Sequence, residues 1–195
     1  YIAECKDMGI PILPPDINES ELNFHSVGGK IRFGLLAIRN VGEGAIRSIL
    51  QFRKQHGRFR TLFQFCEEVD SRAVNKRVLE SLIKSGALDS LGWERRQLMA
   101  VADAAIEHGQ RVQRDRDSGQ RGLFSDLLIG RAAIPEAQPP DIPEWQTEQL
   151  LAYEKETLGY YVSGHPLHRF ASEASRFSSK SLADLVSEGK STECR

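Results

Sequence analysis

A pair of glycines one residue apart constrains this chain more than any other feature. The segment reads Asn40-Val-Gly-Glu-Gly-Ala45 and lies between two stretches that each scan as amphipathic helix. Gly42 and Gly44 allow positive φ and a close backbone approach, so nearby N–H groups can point at an anion beside the positive end of a helix dipole. This layout is typical of a helix-hairpin-helix. We therefore expect contact with a nucleic-acid backbone.

Positive charge is concentrated around this hairpin. Residues 31–60 carry seven basic residues against Glu43 as the one acid, a balance of +6, whereas the whole chain has a net charge of −1. The basic residues are Arg32, Arg39, Arg47, Arg53, Lys54, Arg58 and Arg60. Helical spacing places Ala45, Ile46, Ile49 and Leu50 on one face of the second helix and Arg47, Gln51 and Lys54 on the other. One face can pack while the other follows phosphates. The alternative is an ordinary Gly-X-Gly turn between core helices with a solvated basic face.

Length and composition restrict the class of protein. A chain of 195 residues with 40% hydrophobic content can bury a sizeable core. Cys5, Cys66 and Cys194 are far apart and form neither a paired-cysteine metal site nor a disulfide framework, so a cytoplasmic location is predicted. The sequence contains no apolar run of about 18 residues, the length that a membrane helix requires. We predict no membrane association and no metal site in this chain.

The order of patterns predicts a mainly α fold with a small β element at the N-terminus. Short strands are expected near Phe24–Val27 and Lys30–Phe33, with Gly28-Gly29 between them. Helices are expected at 35–39, 45–55, 62–69, 76–85, about 94–116 and about 147–158, with Asn75 as an N-cap and Gly86 ending the fourth helix. The segment Ser85-Gly-Ala-Leu-Asp89 is either a degenerate second hairpin or an ordinary helix C-cap. The bundle is thus expected to be tandem and helix-hairpin-helix-like.

The last third of the chain changes character. Residues 117–146 are rich in glycine and proline, which predicts a flexible linker, and residues 132–160 hold six acids against Lys155, a balance of −5. A flexible, acidic, partly helical tail is expected. Within the linker, the pentamer Gln120-Arg-Gly-Leu-Phe124 places Leu123 and Phe124 where they have no obvious core to join. Such anchors are typical of a peptide that inserts into a groove of a partner, with the Gln120 amide at its edge.

The longer motifs resemble the replicative DNA polymerase III alpha subunits of bacteria. The matching stretches are Tyr1–Lys6, Leu13–Ser20, Ile31–Leu35, Asn40–Ala45, Val74–Ile83, Gly86–Leu91, Gly119-Gln120 with Leu123-Phe124, and Glu154–Leu167. They span most of the chain in the family's order. The resemblance implies the end of a fingers domain at 1–34, a helix-hairpin-helix DNA-binding domain at 35–116 and a linker with a clamp-binding peptide at 117–146. It also implies an acidic helical segment at 147–195 that leads to an OB-fold domain.

The resemblance also implies that catalysis and DNA binding belong to different parts of the parent enzyme. The parent enzyme would extend a primed DNA strand with Mg²⁺ bound by carboxylates of a palm domain upstream, so no catalytic residue and no cofactor are expected here. The hairpin Val41, Gly42, Glu43, Gly44, Ala45 would meet primer-template DNA, with Arg39 and Arg47 as flanking cations. Gln120, Leu123 and Phe124 would bind the beta-subunit sliding clamp, and other replicase subunits are further expected partners. The pentamer favours the main replicative enzyme over its error-prone relative.

The sequence differs from the general hairpin pattern at two positions, and two other interpretations of the chain remain. Glu43 occupies a position between the glycines that is apolar in the general hairpin pattern, and its charge repels phosphate unless a neighbouring arginine neutralises it. Gly86 is the single glycine of the second hairpin. The rival interpretations are a helix-hairpin-helix scaffold of a DNA repair protein, and a protein-interaction module whose basic helices bind an acidic partner.

Overall fold

The computed structural model describes residues 2–118 and 138–170, and these form six helices and one small sheet. The helices are α1 (Ile2–Asp7), α2 (Glu43–His56), α3 (Leu62–Glu68), α4 (Lys76–Lys84), α5 (Arg95–Asp117) and α6 (Thr147–Leu158). The strands are β1 (Ile12–Leu13), β2 (His25–Val27) and β3 (Lys30–Arg32), and 3₁₀ turns occupy Leu35–Ala37, Asp89–Leu91 and Pro166–Phe170. The predicted class, mainly α with a small N-terminal sheet, is confirmed.

The sheet contains the predicted hairpin and one strand that the sequence did not reveal. Strands β2 and β3 pair antiparallel, with Val27 opposite Lys30 across the two-glycine turn. Strand β1 lies on the other side of β3 and pairs with it in parallel, Ile12 opposite Ile31. Two residues between prolines are too short to show strand alternation in a sequence, so β1 could be found only through its partner.

The helix predicted at 35–39 is wrong, because it is a three-residue 3₁₀ turn. The N–H groups of Leu35 and Leu36 donate to the carbonyls of Glu21 and Leu22, both at 3.0 Å. Ile38 returns to an extended conformation (φ −79°, ψ 123°), and the Arg39 N–H donates to the Thr157 carbonyl at 2.9 Å instead of to the Leu35 carbonyl, so the helix does not continue past Ala37. Leu35 is fully buried and Leu36 is exposed, so one apolar residue of this turn joins the core.

The helices begin and end near the predicted residues, for identifiable reasons. The Thr61 side chain accepts the Gln64 N–H at 3.1 Å, and Asn75 accepts the Val78 N–H at 3.1 Å, so α3 and α4 have side-chain N-caps. Helix α5 starts with a capping box formed by Glu94 and Gln97. Helices α2 to α6 each bury one apolar face against a shared core, as amphipathic spacing requires. The largest fully buried side chains of that core include Ile17, Phe33, Leu35, Ile46, Ile49, Phe59, Phe65, Leu79, Leu82 and Leu88.

The described part of the chain divides at Gly164. Residues 2–118 and 138–163 belong to one unit, and the turn at Pro166–Phe170 belongs to a second. Within the first unit, α6 packs against α4, and Lys84 on α4 pairs with Glu156 at 3.4 Å. The predicted domain boundaries at 34, 116 and 146 stay predictions.

The segment before α6 is fixed to the start of α5 by one carboxylate. Glu144 accepts the backbone N–H groups of Arg95 at 2.8 Å and Arg96 at 3.0 Å, the first amides of α5. Burial alone would raise the pKa of Glu144, but these two N–H groups and that of Trp145 outweigh burial and lower it. At least one acidic residue of the predicted acidic tail therefore forms hydrogen bonds within the fold.

Candidate nucleic-acid interface

The hairpin turn between the 3₁₀ turn and α2 is shaped by Asn40, not by the glycines. Asn40 has φ of 66°, and neither Gly42 nor Gly44 has positive φ. Gly42 is the N-cap of α2 with φ −82° and ψ 160°, an extended conformation open to any residue. The expectation that the glycines supply positive φ is therefore wrong. Asparagine tolerates the left-handed region better than most residues, and its Nδ2 donates to Ser81 Oγ at 3.1 Å.

The first turn of α2 is left open to solvent. The Ile46 N–H donates to the carbonyl of Gly42 at 3.2 Å, so the amides of Glu43, Gly44 and Ala45 precede the first intrahelical bond. Gly42 has no side chain to cap them. Among the residues that the structure describes, these three amides have no hydrogen-bond acceptor. By contrast, the starts of α3, α4 and α5 all carry side-chain caps. The positive end of the α2 dipole is thus available to an external anion.

Both glycines leave empty space at the surface. A Cβ on Gly42 would meet nothing within 4 Å, and a Cβ on Gly44 would meet only the Ala73 methyl at 3.8 Å. Both residues are exposed. Neither conformation nor internal packing therefore requires glycine here. What glycine does provide is close access of an outside group to the helix amides.

The charge of Glu43 is paired. Its Oε1 lies 2.8 Å from Nη2 of Arg47, one turn along α2, and both side chains are more than half exposed. The hydrogen bond with Glu43 raises the pKa of Arg47. An exposed pair of this kind is weak. Arg47 can consequently offset the charge of Glu43 and still contact a phosphate.

The positive charge of residues 31–60 is smaller than the sequence window indicated. Three of its arginines face acids that precede the window: Arg53 lies 3.4 Å from Glu21, and Arg58 lies 3.6 Å from Glu19. Arg32 also pairs with Glu19. Arg39, Lys54 and Arg60 are exposed and pair with no carboxylate within residues 2–118 and 138–170. Among the described residues, these three cations carry the unpaired positive charge of residues 31–60.

The predicted DNA-binding residues do not all lie together. Arg39, the segment Val41–Ala45 and Arg47 surround the open end of α2, whereas Lys54 lies about 16 Å further along the same helix. Val41 and Ala45 are 5% and 1% exposed, so their side chains belong to the core. They can offer an outside partner only their main chain. Glu43, Gly42 and Gly44 are exposed as expected.

Helix α6 contributes to the hairpin, which sequence reasoning missed. The backbone N–H of Arg39 donates to the carbonyl of Thr157 at 2.9 Å. A groove of about 600 Å³ runs between the hairpin and the end of α6, lined by residues 36–42 and 157–159. A signal existed in the sequence: Glu154 shares a helix face with Leu151 and Leu158, and a charge on an apolar face indicates a buried partner.

The turn after α4 keeps the outline of a second hairpin but works as a helix cap. Gly86 has φ of 79°, its N–H donates to Ile83, and the Ala87 N–H donates to Leu82, both at 3.0 Å. These two bonds define a Schellman motif. Gly86 is buried, and a Cβ there would lie 2.3 Å from Nη2 of Arg95. The C-cap interpretation is correct, and this turn faces the protein instead of an outside ligand.

Three further predictions concern the clamp-binding peptide, membrane association and metal binding. The peptide Gln120, Leu123 and Phe124 lies outside the described residues. No helix within residues 2–118 or 138–170 is long and apolar enough to cross a membrane. In the same ranges, the His, Cys, Asp and Glu side chains form no group of three or more that could hold a metal ion.

The fold and the exposed glycine pair define a helix-hairpin-helix protein, and the family model described as a helix-hairpin-helix motif matches residues 9–98. Full-length relatives identify the family. The DNA polymerase III subunit alpha of Mycobacterium tuberculosis H37Rv is 43% identical over 173 residues, which cover 88% of this chain and 15% of that protein. Those of Vibrio cholerae and Thermus aquaticus are each 40% identical, over 95% and 96% of this chain and over 16% and 15% of their own length. The chain belongs to the DNA polymerase III alpha family, and it spans about one-sixth of the length of these relatives.

Proposed function

We propose that this chain is the segment of a replicative DNA polymerase that grips duplex DNA by its backbone and tethers the enzyme to a sliding clamp. The observation that carries the DNA-binding part of this proposal is the uncapped start of α2. Its first amides are exposed, and the two glycines beside them leave free space for an outside group. A phosphate oxygen at this point accepts from the amides and lies on the positive end of the helix dipole. Such contacts recognise DNA without reading its sequence.

Two unpaired cations and Arg47, which is weakly paired with Glu43, extend this contact along the duplex. Arg39 lies beside the open amides, Arg47 one turn beyond them, and Lys54 near the far end of α2. Each cation that neutralises a phosphate releases counterions, so affinity falls as salt rises. In the whole protein, we assign template-directed DNA synthesis with Mg²⁺ to the palm domain and DNA contact to this segment. This proposal includes a cytoplasmic location and partnership with other replicase subunits.

Replacement of Arg39 by glutamine is expected to weaken binding to a labelled duplex about fivefold and to reduce the salt slope by about one. The control is Arg77→Gln, which removes the same charge from an exposed position on α4 that pairs with no described carboxylate. Fluorescence anisotropy across a salt series measures both quantities. Equal effects of the two variants would mean that the hairpin has no special role. Absence of any DNA binding would favour the protein-interaction module.

The clamp-binding part of the proposal depends on the pentamer ending at Phe124. A second, weak contact on the same chain raises the effective concentration of DNA near the hairpin, so two weak contacts give long residence. The relatives are polymerase subunits, which favours this assignment over a repair scaffold. A repair scaffold would bind DNA but not the clamp.

Phe124→Ala is expected to abolish measurable clamp binding, because truncation of an aromatic anchor costs roughly 1–3 kcal/mol. Isothermal calorimetry with the purified clamp measures the affinity, and circular dichroism checks that helix content is unchanged. Leu127→Ala is the matched control, since it truncates an apolar residue just beyond the pentamer. Affinity that is unchanged in Phe124→Ala, or lost equally in Leu127→Ala, would refute the assignment.

A further inference from the structure

A buried carboxylate on α6 is bonded on every side. Glu154 is 1% exposed, and its Oε1 lies 3.2 Å from Nη1 of Arg95. Its Oε2 accepts the N–H groups of Val162 at 2.9 Å and Ser163 at 3.0 Å, and the Ser163 hydroxyl donates to Oε1. A charge so far from water persists only with this degree of pairing. Glu154 therefore fixes both α6 and the chain that follows it.

Arg95 holds the other side of this contact. It is 8% exposed and also forks onto Asp89, with Nε–Oδ1 and Nη2–Oδ2 distances of 2.9 and 2.8 Å. Burial alone would lower the pKa of Arg95, but the hydrogen bonds and charges of Asp89 and Glu154 outweigh burial and raise it. The absence of a side chain at Gly86 makes room for the guanidinium. The glycine that ends α4 thus makes room for an internal ion pair.

One turn beyond Glu154, α6 reaches the DNA-facing hairpin. Thr157 is 3% exposed, and its carbonyl accepts the Arg39 N–H at 2.9 Å. The next residue in the hairpin, Asn40, is the left-handed one, and such a conformation persists only where its surroundings hold it. The Thr157 carbonyl and the Ser81 hydroxyl hold Arg39 and Asn40 from two different helices.

We propose that Arg95 and Glu154 are positioning residues for the hairpin: their buried ion pair sets α6 so that the Thr157 carbonyl fixes Arg39 and the turn at Asn40. The DNA-affinity part of this inference rests on the proposed function. Neither residue needs to touch DNA. Helix α6 then becomes a structural part of the DNA interface, since the hairpin keeps this conformation only while α6 is docked.

Two glutamates on α6 provide a matched pair of variants. Glu154→Gln and Glu156→Gln remove the same charge from the same helix, and each glutamate faces one cation, Arg95 or Lys84. Glu156 is about half exposed, so its loss leaves no buried charge unpaired. At position 154, the NH₂ group of a glutamine amide would face groups that now donate hydrogen bonds to the carboxylate, and two donors cannot pair. Because each variant removes one negative charge from α6, the comparison corrects for a general gain in DNA affinity from lost negative charge.

The experiment uses the 195-residue chain at a temperature where circular dichroism shows both variants folded. We expect Glu154→Gln to bind a labelled duplex about tenfold more weakly than Glu156→Gln, and hydrogen exchange of the Arg39 amide, followed by NMR, to be about tenfold faster. The Leu79 amide, inside α4, should exchange as in the unchanged protein. If Glu154→Gln does not fold, Arg95→Lys, which keeps the charge but loses the fork, takes its place with the same expectations.

The outcomes separate this inference from the proposed function. Equal DNA affinity in the two variants, or unchanged exchange at Arg39, would overturn the positioning role. If the unchanged protein binds no duplex, the proposed function fails, and the Arg39 amide alone then decides whether the ion pair positions the hairpin. Faster exchange at Arg39 and Leu79 together would mean general destabilisation and would also overturn the positioning role.

Discussion

Gly109→Ala is expected to destabilise the protein by about 3 kcal/mol, the upper part of the usual range for overpacking. Gly109 lies in α5 where that helix crosses the end of α3. A methyl group there would lie 2.2 Å from the carbonyl oxygen of Cys66 and 2.6 Å from its carbonyl carbon. Because these are backbone atoms, they cannot turn aside as a side chain could. Thermal unfolding should show a melting temperature lower by roughly 6–12 °C.

The close crossing at Gly109 is reinforced one turn later. The Nε2 group of Gln113 donates to the carbonyls of Glu67 at 3.0 Å and Val69 at 2.6 Å, at the end of α3. Its Oε1 accepts the Ser71 N–H at 3.1 Å. A methyl group at 109 would separate α5 from α3 and stretch these bonds together. The predicted loss therefore includes hydrogen bonds as well as packing.

Gly44→Ala is the control, since it makes the same change in another helix where the methyl group finds open space. Alanine favours helix over glycine by up to about 1 kcal/mol, so this variant should be as stable as the unchanged protein or more so. Its DNA affinity should fall, because the methyl group occupies the proposed phosphate contact. A destabilised Gly44→Ala, or a Gly109→Ala that melts normally, would contradict this account of the two glycines.

The comparison of these glycines marks how far the sequence could predict the site. Spacing was enough to predict a turn that leads into α2, although the segment before that turn is a 3₁₀ turn and not the expected helix. It could not assign positive φ correctly, because that conformation belongs to Asn40, a residue that also adopts ordinary conformations. Nor could it distinguish an empty surface at Gly44 from a helix crossing at Gly109. That difference depends on α3, which is distant in sequence from both.

Helices were predictable where local physics decides them. The N-cap at Asn75 and the glycine after α4 bracket a strongly amphipathic segment, and α4 ends one residue from its predicted limit. The prediction of a helix at 35–39 was wrong because contacts from distant parts of the chain decide this segment. The chain becomes extended at Ile38, and the Arg39 N–H donates to Thr157, a partner on α6 that no local pattern records.

Charge was the least predictable property of the site. Glu19 and Glu21 pair with arginines on β3, in α2 and after α2, and a window of consecutive residues cannot register such pairs. The acidic tail likewise looked unrelated to the hairpin, although Glu154 is buried against Arg95. Sequence windows count charges, whereas binding depends on which charges remain unpaired.

The second large effect is expected at Asn18, in the Pro-Pro-Asp-Ile-Asn stretch that follows β1. Asn18 is 7% exposed and bonds both backbone groups of Phe59: its Oδ1 accepts the N–H at 2.8 Å, and its Nδ2 donates to the carbonyl at 3.1 Å. The same Nδ2 donates to Ser90 Oγ at 3.0 Å. One amide side chain thus joins the N-terminal segment to the loop after α2 and to the turn before α5.

Asn18→Ala should therefore cost about 3 kcal/mol in free energy of unfolding, because two buried backbone groups of Phe59 lose their partners. The effect should reach the proposed interface, since Phe59 follows the end of α2 and stacks on Phe52 at a ring distance of 4.3 Å. Urea denaturation measures the loss. Asn23→Ala, an exposed asparagine of the same segment, should change stability by less than about 0.5 kcal/mol. A cost below about 1 kcal/mol for Asn18→Ala would mean that water replaces the lost amide and that the junction does not hold α2.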